Sequence, residues 1–370
     1  MLFWLMMALA VLVGAQDSPP ISTDIADSQF RGDAHRTGTT AHPAPLTAPE
    51  RVWTAASPRP IRTTPVLWDD LLWFGNEAGT LTAVDAASGA EIWTFKSARP
   101  FVSTAAVHDS VLVIGGLDGS IYALDARTGE LLWQVDTDKG IYSSPLWVED
   151  AIYIGGQDKT LYKLNATDGS ILWTVETAGE IWSSPTWADG LVIVGNRGSE
   201  ILAVDADSGE IVWTFMAEGG VDATAAVADG VAYIGSYDGN LYALSVDDGS
   251  VVWQSALGSL IYASAALGGE TLYITTFDGL LLALDRADGA ELWRSDVGSP
   301  AYSSPTLAGD TVLTLSEERG LMAAFNAETG AFLWEVTTGR EGDFRSSSPV
   351  IAPDGTLYIG SNSEGMLAYR

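Results

Sequence analysis

Cysteine is absent from all 370 residues. Its absence excludes disulfides, thiolate metal sites, cysteine nucleophiles and a lipid carried on an N-terminal cysteine. Histidine is scarce as well, with only His35, His42 and His108. The first two lie near the N-terminus and the third in an Ala-Val-His-Asp turn, so neither a catalytic triad nor a histidine zinc site suggests itself. Positive charge is also sparse, with 18 Lys and Arg against 48 Asp and Glu, a formal net charge of −30. Such a field repels DNA, RNA and anionic lipid, and no Lys/Arg cluster is dense enough to overrule it, so no nucleic-acid partner is expected. Solubility accounts for the acidity, with a specific cationic partner as the alternative. Long apolar runs are missing too, except for the uncharged residues 1–15. That run has the length of a signal-peptide core and falls short of the roughly 20 residues that span a bilayer. Val13 and Ala15 suit positions −3 and −1 of a cleavage site, so an exported chain starting at Gln16 is expected, without membrane insertion. No Lys or Arg precedes the run, which leaves an uncleaved anchor or a misassigned start as the alternatives.

What the chain does have is rhythm. Trp53, Trp93, Trp133, Trp173, Trp213, Trp253, Trp293 and Trp334 recur every 40 residues, with one step of 41. A period near 40 with several short strands per unit implies a propeller, whose units cannot bury their apolar faces alone. In residues 143–176 the strand candidates are Ser143–Val148, Ala151–Gly155, Thr160–Asn165 and Ser170–Glu176, each short, β-branched or aromatic and bounded by turn residues.

The turn before the fourth strand carries the strongest motif, Ala-x-Asp-x-x-Ser/Thr-Gly-x-x-x-Trp. It reads Ala83, Asp85, Ser88, Gly89 and Trp93 in one copy, and Ala123, Asp125, Thr128, Gly129 and Trp133 in the next. Later copies drift in every position except the glycine and the tryptophan. Glycine provides a positive-φ turn position, and Asp, Asn, Ser or Thr bonds the nearby backbone. The indole is then available to pack on the neighbouring unit while its N–H finds an acceptor. This motif resembles the tryptophan-docking repeat of the PQQ-type, quinoprotein-like β-propellers, which include quinoprotein alcohol dehydrogenases and BamB-like outer-membrane assembly factors. The stretch from Phe30 to Gly38 is similar to the lead-in of the compact BamB-like members.

The last unit supplies three strands, Ser347–Ala352, Thr356–Gly360 and Gly365–Tyr369, and then ends at Arg370. Residues 50–54 carry Trp53 in phase with no first three strands before them. The expected fold is therefore all-β, an eight-bladed propeller of four-stranded antiparallel blades closed by an N-terminal strand that completes the last blade. The division is a signal peptide over 1–15, a mostly irregular lead-in over 16–46 and the propeller over 47–370.

Regular positions of such a scaffold serve packing, so function is sought at the channel mouth. One residue per unit precedes the first strand there: Arg62, Val102, Tyr142, Trp182, Asp222, Tyr262, Tyr302 and Ser346. Four are aromatic, and they either contact a ligand or plug the funnel against one another. Arg59, Arg62, Arg99, Arg340 and Arg345 gather on one arc, with Glu218 and Asp222 across the ring, so a dipolar mouth suited to a peptide or a carboxylate is expected; solvated surface arginines are the alternative. The link 337–345, three residues longer than its equivalents, is a further site candidate or merely slack. The Asp-rich turns at the other end follow turn chemistry, and no metal site is expected. The dehydrogenase resemblance would imply adjacent cysteines, a catalytic Asp and calcium-ligating Glu and Asn; the chain has no cysteine and almost no inserted loop. The expectation is an exported, monomeric, non-catalytic scaffold without cofactor, docking a protein or peptide in the cell envelope. A quinoprotein-related enzyme and a small-molecule or glycan sensor are the alternatives.

Overall fold

A computed structural model of the chain describes residues 27–298, 300–316, 318–341 and 347–370. The expected signal peptide and residues 16–26 of the lead-in lie outside the described residues. No helix among those described is long and apolar enough to cross a membrane.

The third repeat shows how 40 residues become a blade. Leu146–Val148, Ala151–Gly155, Thr160–Asn165 and Ile171–Glu176 pair antiparallel in chain order. The first strand is shorter than the expected Ser143–Val148, because the preceding residues have other partners. Pro145 has no N–H. Ser143 Oγ accepts the Gly155 N–H at 3.1 Å, and the Ser144 N–H donates to Ser184 Oγ of the next blade at 2.9 Å. Equivalent sheets begin at Val66–Trp68, Ala106–His108, Thr186–Ala188, Ala226–Ala228, Ala266–Gly268 and Thr306–Ala308. The eighth sheet holds Val350–Ile351, Leu357–Ser361 and Gly365–Tyr369, and its outer position is taken by Arg51–Ala55, antiparallel to Gly365–Tyr369. The fold is an eight-bladed β-propeller.

No blade has a core of its own. Among the described residues, eight apolar clusters each join two adjacent blades, including one that unites Ile61, Leu72 and Phe74 of the first with Tyr358, Met366 and Ala368 of the eighth. The docking tryptophans fasten these seams. The indole N–H of Trp93 donates to Ala126 O at 2.9 Å and that of Trp133 to Ala166 O at 3.0 Å, each a carbonyl in the turn before the outer strand of the next blade. Trp53, Trp173, Trp213, Trp253 and Trp293 do the same toward Ala86, Ala206, Val246, Arg286 and Ala327. Trp334 faces the eighth blade, where no chain joins the third strand to the outer one. Its N–H donates instead to Pro45 O of the lead-in, at 2.7 Å.

The lead-in occupies the bore. Asp27–Ser28 pairs antiparallel with Ala106–His108, and Thr39–Thr40 runs parallel to Thr306–Ala308. Between them, Ala34 O, His35 O, Thr37 O and Gly38 O accept the N–H groups of Trp187, Val227, Leu267 and Leu307, and Gln29 Oε1 accepts that of Trp147. Innermost strands have one edge without a neighbour, and this irregular segment gives five of them acceptors.

Candidate functional site

At the opposite end from the Asp-rich turns the bore opens into a funnel of about 250 Å³. Arg62, Val102, Tyr142, Trp182, Asp222, Tyr262 and Tyr302 all line it, one from each of seven blades, with Phe30 of the lead-in among them. Arg340 is exposed and does not line the funnel; its backbone N–H donates to Ser363 Oγ at 3.1 Å. Arg345 and Ser346, and with them residues 342–344 of the expected irregular link 337–345, lie outside the described residues.

A ring of hydroxyls sets the spacing of these side chains. Each N–H at this level donates to the hydroxyl of the next blade: Thr64 to Thr104, Thr104 to Ser144, Ser144 to Ser184, Ser184 to Thr224, Thr224 to Ser264 and Ser264 to Ser304, all at 2.9–3.1 Å. The Ser348 N–H donates to Thr64 Oγ1 at 3.1 Å, so the ring passes from the last blade to the first. The mouth residue stands two positions earlier in each of blades one to seven and is therefore held at one height.

The mouth residues do not stand alone, because a second set lies fifteen positions after them, in the loop between the second and third strands. Arg62 is ion-paired with Glu77, Arg197 covers Trp182, Tyr237 donates its hydroxyl to Asp222, and Phe277 packs on Tyr262 with ring centroids 5.6 Å apart. The second set then reaches the next blade. Arg197 donates two guanidinium hydrogen bonds to Asp222, at 3.0 and 2.7 Å, while Tyr237 meets Tyr262 at 4.7 Å and Phe277 meets Tyr302 at 5.4 Å. Tyr142 stacks on Trp182 at 3.8 Å and 8°. The result is an unbroken arc across five blades, Tyr142, Trp182, Arg197, Asp222, Tyr237, Tyr262, Phe277 and Tyr302.

Charge in this arc is balanced internally. Burial works against the Arg197 guanidinium, but the Asp222 carboxylate outweighs it and holds the pKa above its ordinary value. Burial, then Asp222, pushes the Tyr237 phenol well up, so it stays a neutral donor. The expected anionic pole at Asp222 is thus tied to Arg197, a residue the sequence reading passed over. It was legible in principle: Glu77, Arg197, Tyr237 and Phe277 share one register of the 40-residue repeat.

The family model described as outer membrane protein assembly factor BamB matches residues 77–182, 179–263 and 256–370, well over half of the chain. The chain belongs to the BamB family. No curated protein matches it in sequence. Among solved structures, BamB from Moraxella catarrhalis superposes with a TM-score of 0.71 at 21% identity, covering 87% of this chain and 97% of that one. A europium-containing methanol dehydrogenase gives 0.78 at 13% identity, covering 92% and 97%. Quinohemoprotein alcohol dehydrogenase from Comamonas testosteroni gives 0.79 at 15%, covering 92% and 79%. At these identities the likeness is one of fold.

The dehydrogenase neighbours raise the question of a quinone and its metal, and the residues of this BamB-family member do not fit them. No group of three or more His, Cys, Asp or Glu among the described residues could hold a metal ion. The chain has no cysteine to abut a quinone. Trp182 has no face to offer a flat ring: the Tyr142 ring lies 3.8 Å and the Arg197 guanidinium carbon 3.2 Å from its centroid, and two groups that close cannot share a side.

Proposed function

We propose that this BamB-family propeller is an exported, non-catalytic scaffold that docks an extended protein segment of the cell envelope on its channel mouth. The observation that carries the reading is the arc itself. Rigid aromatic side chains from separate blades, held at one height by the hydroxyl ring, present contact area that costs little entropy to immobilise. Arg62 lines the same funnel and keeps its Nε–H without a partner beside its ion pair with Glu77, which suits a carboxylate-bearing stretch lying across the arc.

A photo-crosslinking amino acid placed at Tyr302 and, as control, at Val212 on an outer strand tests this in the native envelope. Crosslinks from position 302 and none from 212 are expected, with Trp182→Ala weakening capture at least about tenfold, the size of a modest hot spot. Crosslinks confined to 212, or capture indifferent to Trp182→Ala, refute the mouth as the docking face. The clustering of Tyr237, Tyr262, Phe277 and Tyr302 favours a glycan as the second reading; saturable quenching of tryptophan fluorescence by a sugar, lost in Trp182→Ala, would select it.

A further inference from the structure

Among the described residues, the lead-in hydrogen-bonds the inner strands of blades two to seven and packs against those of the first and eighth without such bonds. The N–H groups it satisfies in blades three to seven belong to Trp147, Trp187, Val227, Leu267 and Leu307, and in the second blade Ser28 pairs with Val107. The same position is Leu67 in the first blade and Ile351 in the eighth. No hydrogen bond from the described lead-in reaches either residue. A cavity of about 290 Å³ lies there, walled by Arg31, His42, Thr64, Leu67, Val350 and Ile351 among others. Thr64, Ser348 and Phe30 border both this cavity and the funnel, so it lies behind the funnel floor.

Its wall contains an unusual cation. Arg31 is 7% exposed, donates through Nη1 to Pro305 O at 2.7 Å and through Nη2 to Ala265 O, and leaves Nε without a partner. Nearby Arg36 is fully buried and donates to Pro185 O, Pro145 O and Phe30 O. Neither guanidinium makes an ion pair among the described residues. Asp33, the carboxylate closest to them in the chain, accepts from the N–H and hydroxyl of Thr37. Burial pushes both arginines down to about 9, which still leaves them charged at neutral pH. Two buried positive charges whose hydrogen bonds go to carbonyls, with the Asp33 carboxylate acting on both but ion-paired to neither, leave an electrostatic demand that an anion would meet.

We propose that this cavity is a carboxylate-binding site. Its polar lining offers the Nε–H of Arg31, a buried donor without a partner, beside the inner-strand backbone of Leu67 and Ile351. A carboxylate is acceptor-only with two oxygens, the complement of such a lining. A single negative charge also enters the field of a chain of net charge −30 at less cost than a phosphate dianion. The carboxylate comes either from a free small acid or from the carboxyl terminus of a peptide.

The test is a titration of the ¹⁵N-labelled protein, following the amides of Leu67 and Ile351 and the Nε–H of Arg31. The probes are acetate and tri-alanine with a free or an amidated carboxyl terminus. Acetate and the free peptide are expected to move all three signals saturably, and the amidated peptide to move none. Equal affinity of the two binders assigns the site to small acids; a preference for the peptide of at least about tenfold assigns it to chain termini. Val350→Phe, which fills the cavity and spares Arg31, is expected to abolish the shifts. Absence of shifts in the unsubstituted protein at millimolar probe, or equal shifts with the amidated peptide, overturns the proposal.

Discussion

At the scale of single residues, the chain spends its most regular chemistry on seams. Gly129 sits at φ +74°, and a Cβ there would lie 2.6 Å from the indole of Trp93. Gly190, at φ +88° in a turn at the same end of the fold, has nothing within 4 Å of such a Cβ. The pair separates backbone from contact. Gly190→Ala is expected to cost about 1–2 kcal/mol, the penalty of a left-handed alanine, and Gly129→Ala clearly more, because the indole must also move. Urea unfolding of the two variants measures the difference, and equal losses would mean that the glycine serves the turn alone. The glycine and tryptophan were legible because they recur in phase. The register of Arg197 was legible in the same way, but its role was not, since that comes from Trp182 on its own blade and Asp222 on the next, which no single repeat displays.

Elements were read well where one repeat contains its own reasons, and less well where neighbours intervene. Ala151–Gly155 and Thr160–Asn165 occur with the boundaries expected from the turn residues that flank them. The inner strand shrank to Leu146–Val148 because Ser143 and Ser144 bond outside the ladder. Arg51–Ala55 shows how much one short strand carries: it covers the edge of Gly365–Tyr369, and Glu50 and Arg370 exchange backbone hydrogen bonds at 2.9 and 2.8 Å beside it. Deleting residues 47–56 exposes that edge and removes the Trp53 dock on Ala86. The expected outcome is aggregation in size-exclusion chromatography with a lowered Tm; a monomer that melts unchanged would contradict it.

For the whole molecule, closing eight blades around a bore buries groups whose titration then reports on the fold. Burial, with nearby carboxylates, pushes Tyr122, Tyr153, Tyr242 and Tyr358 up to about 12. Between about pH 10 and 12 the unfolded chain releases these four protons while the folded one keeps them, so stability falls as pH rises. Arg31 and Arg36 act the other way: lowered to about 9 by burial, they lose protons in the folded state before the unfolded one does, which adds stability over the same window. Four groups outweigh two, and a net fall above about pH 10 is expected. Urea midpoints measured across that range, with phenolate absorbance appearing together with unfolding, check the sign.

The 40-residue spacing of Trp93, Trp133 and their counterparts determined the blade, the number of blades and the height at which Arg62, Tyr142, Trp182, Asp222, Tyr262 and Tyr302 meet, because periodicity is a local property that every copy repeats. The path of residues 27–44 through the bore, the burial of Arg31 and Arg36, the pairing of Arg197 with Asp222 and the cavity beside the inner strands of the first and eighth blades were decided only by the tertiary structure. The reason is physical: an inner strand's free edge and a buried guanidinium's need for acceptors come into being only when distant blades are brought around a common axis.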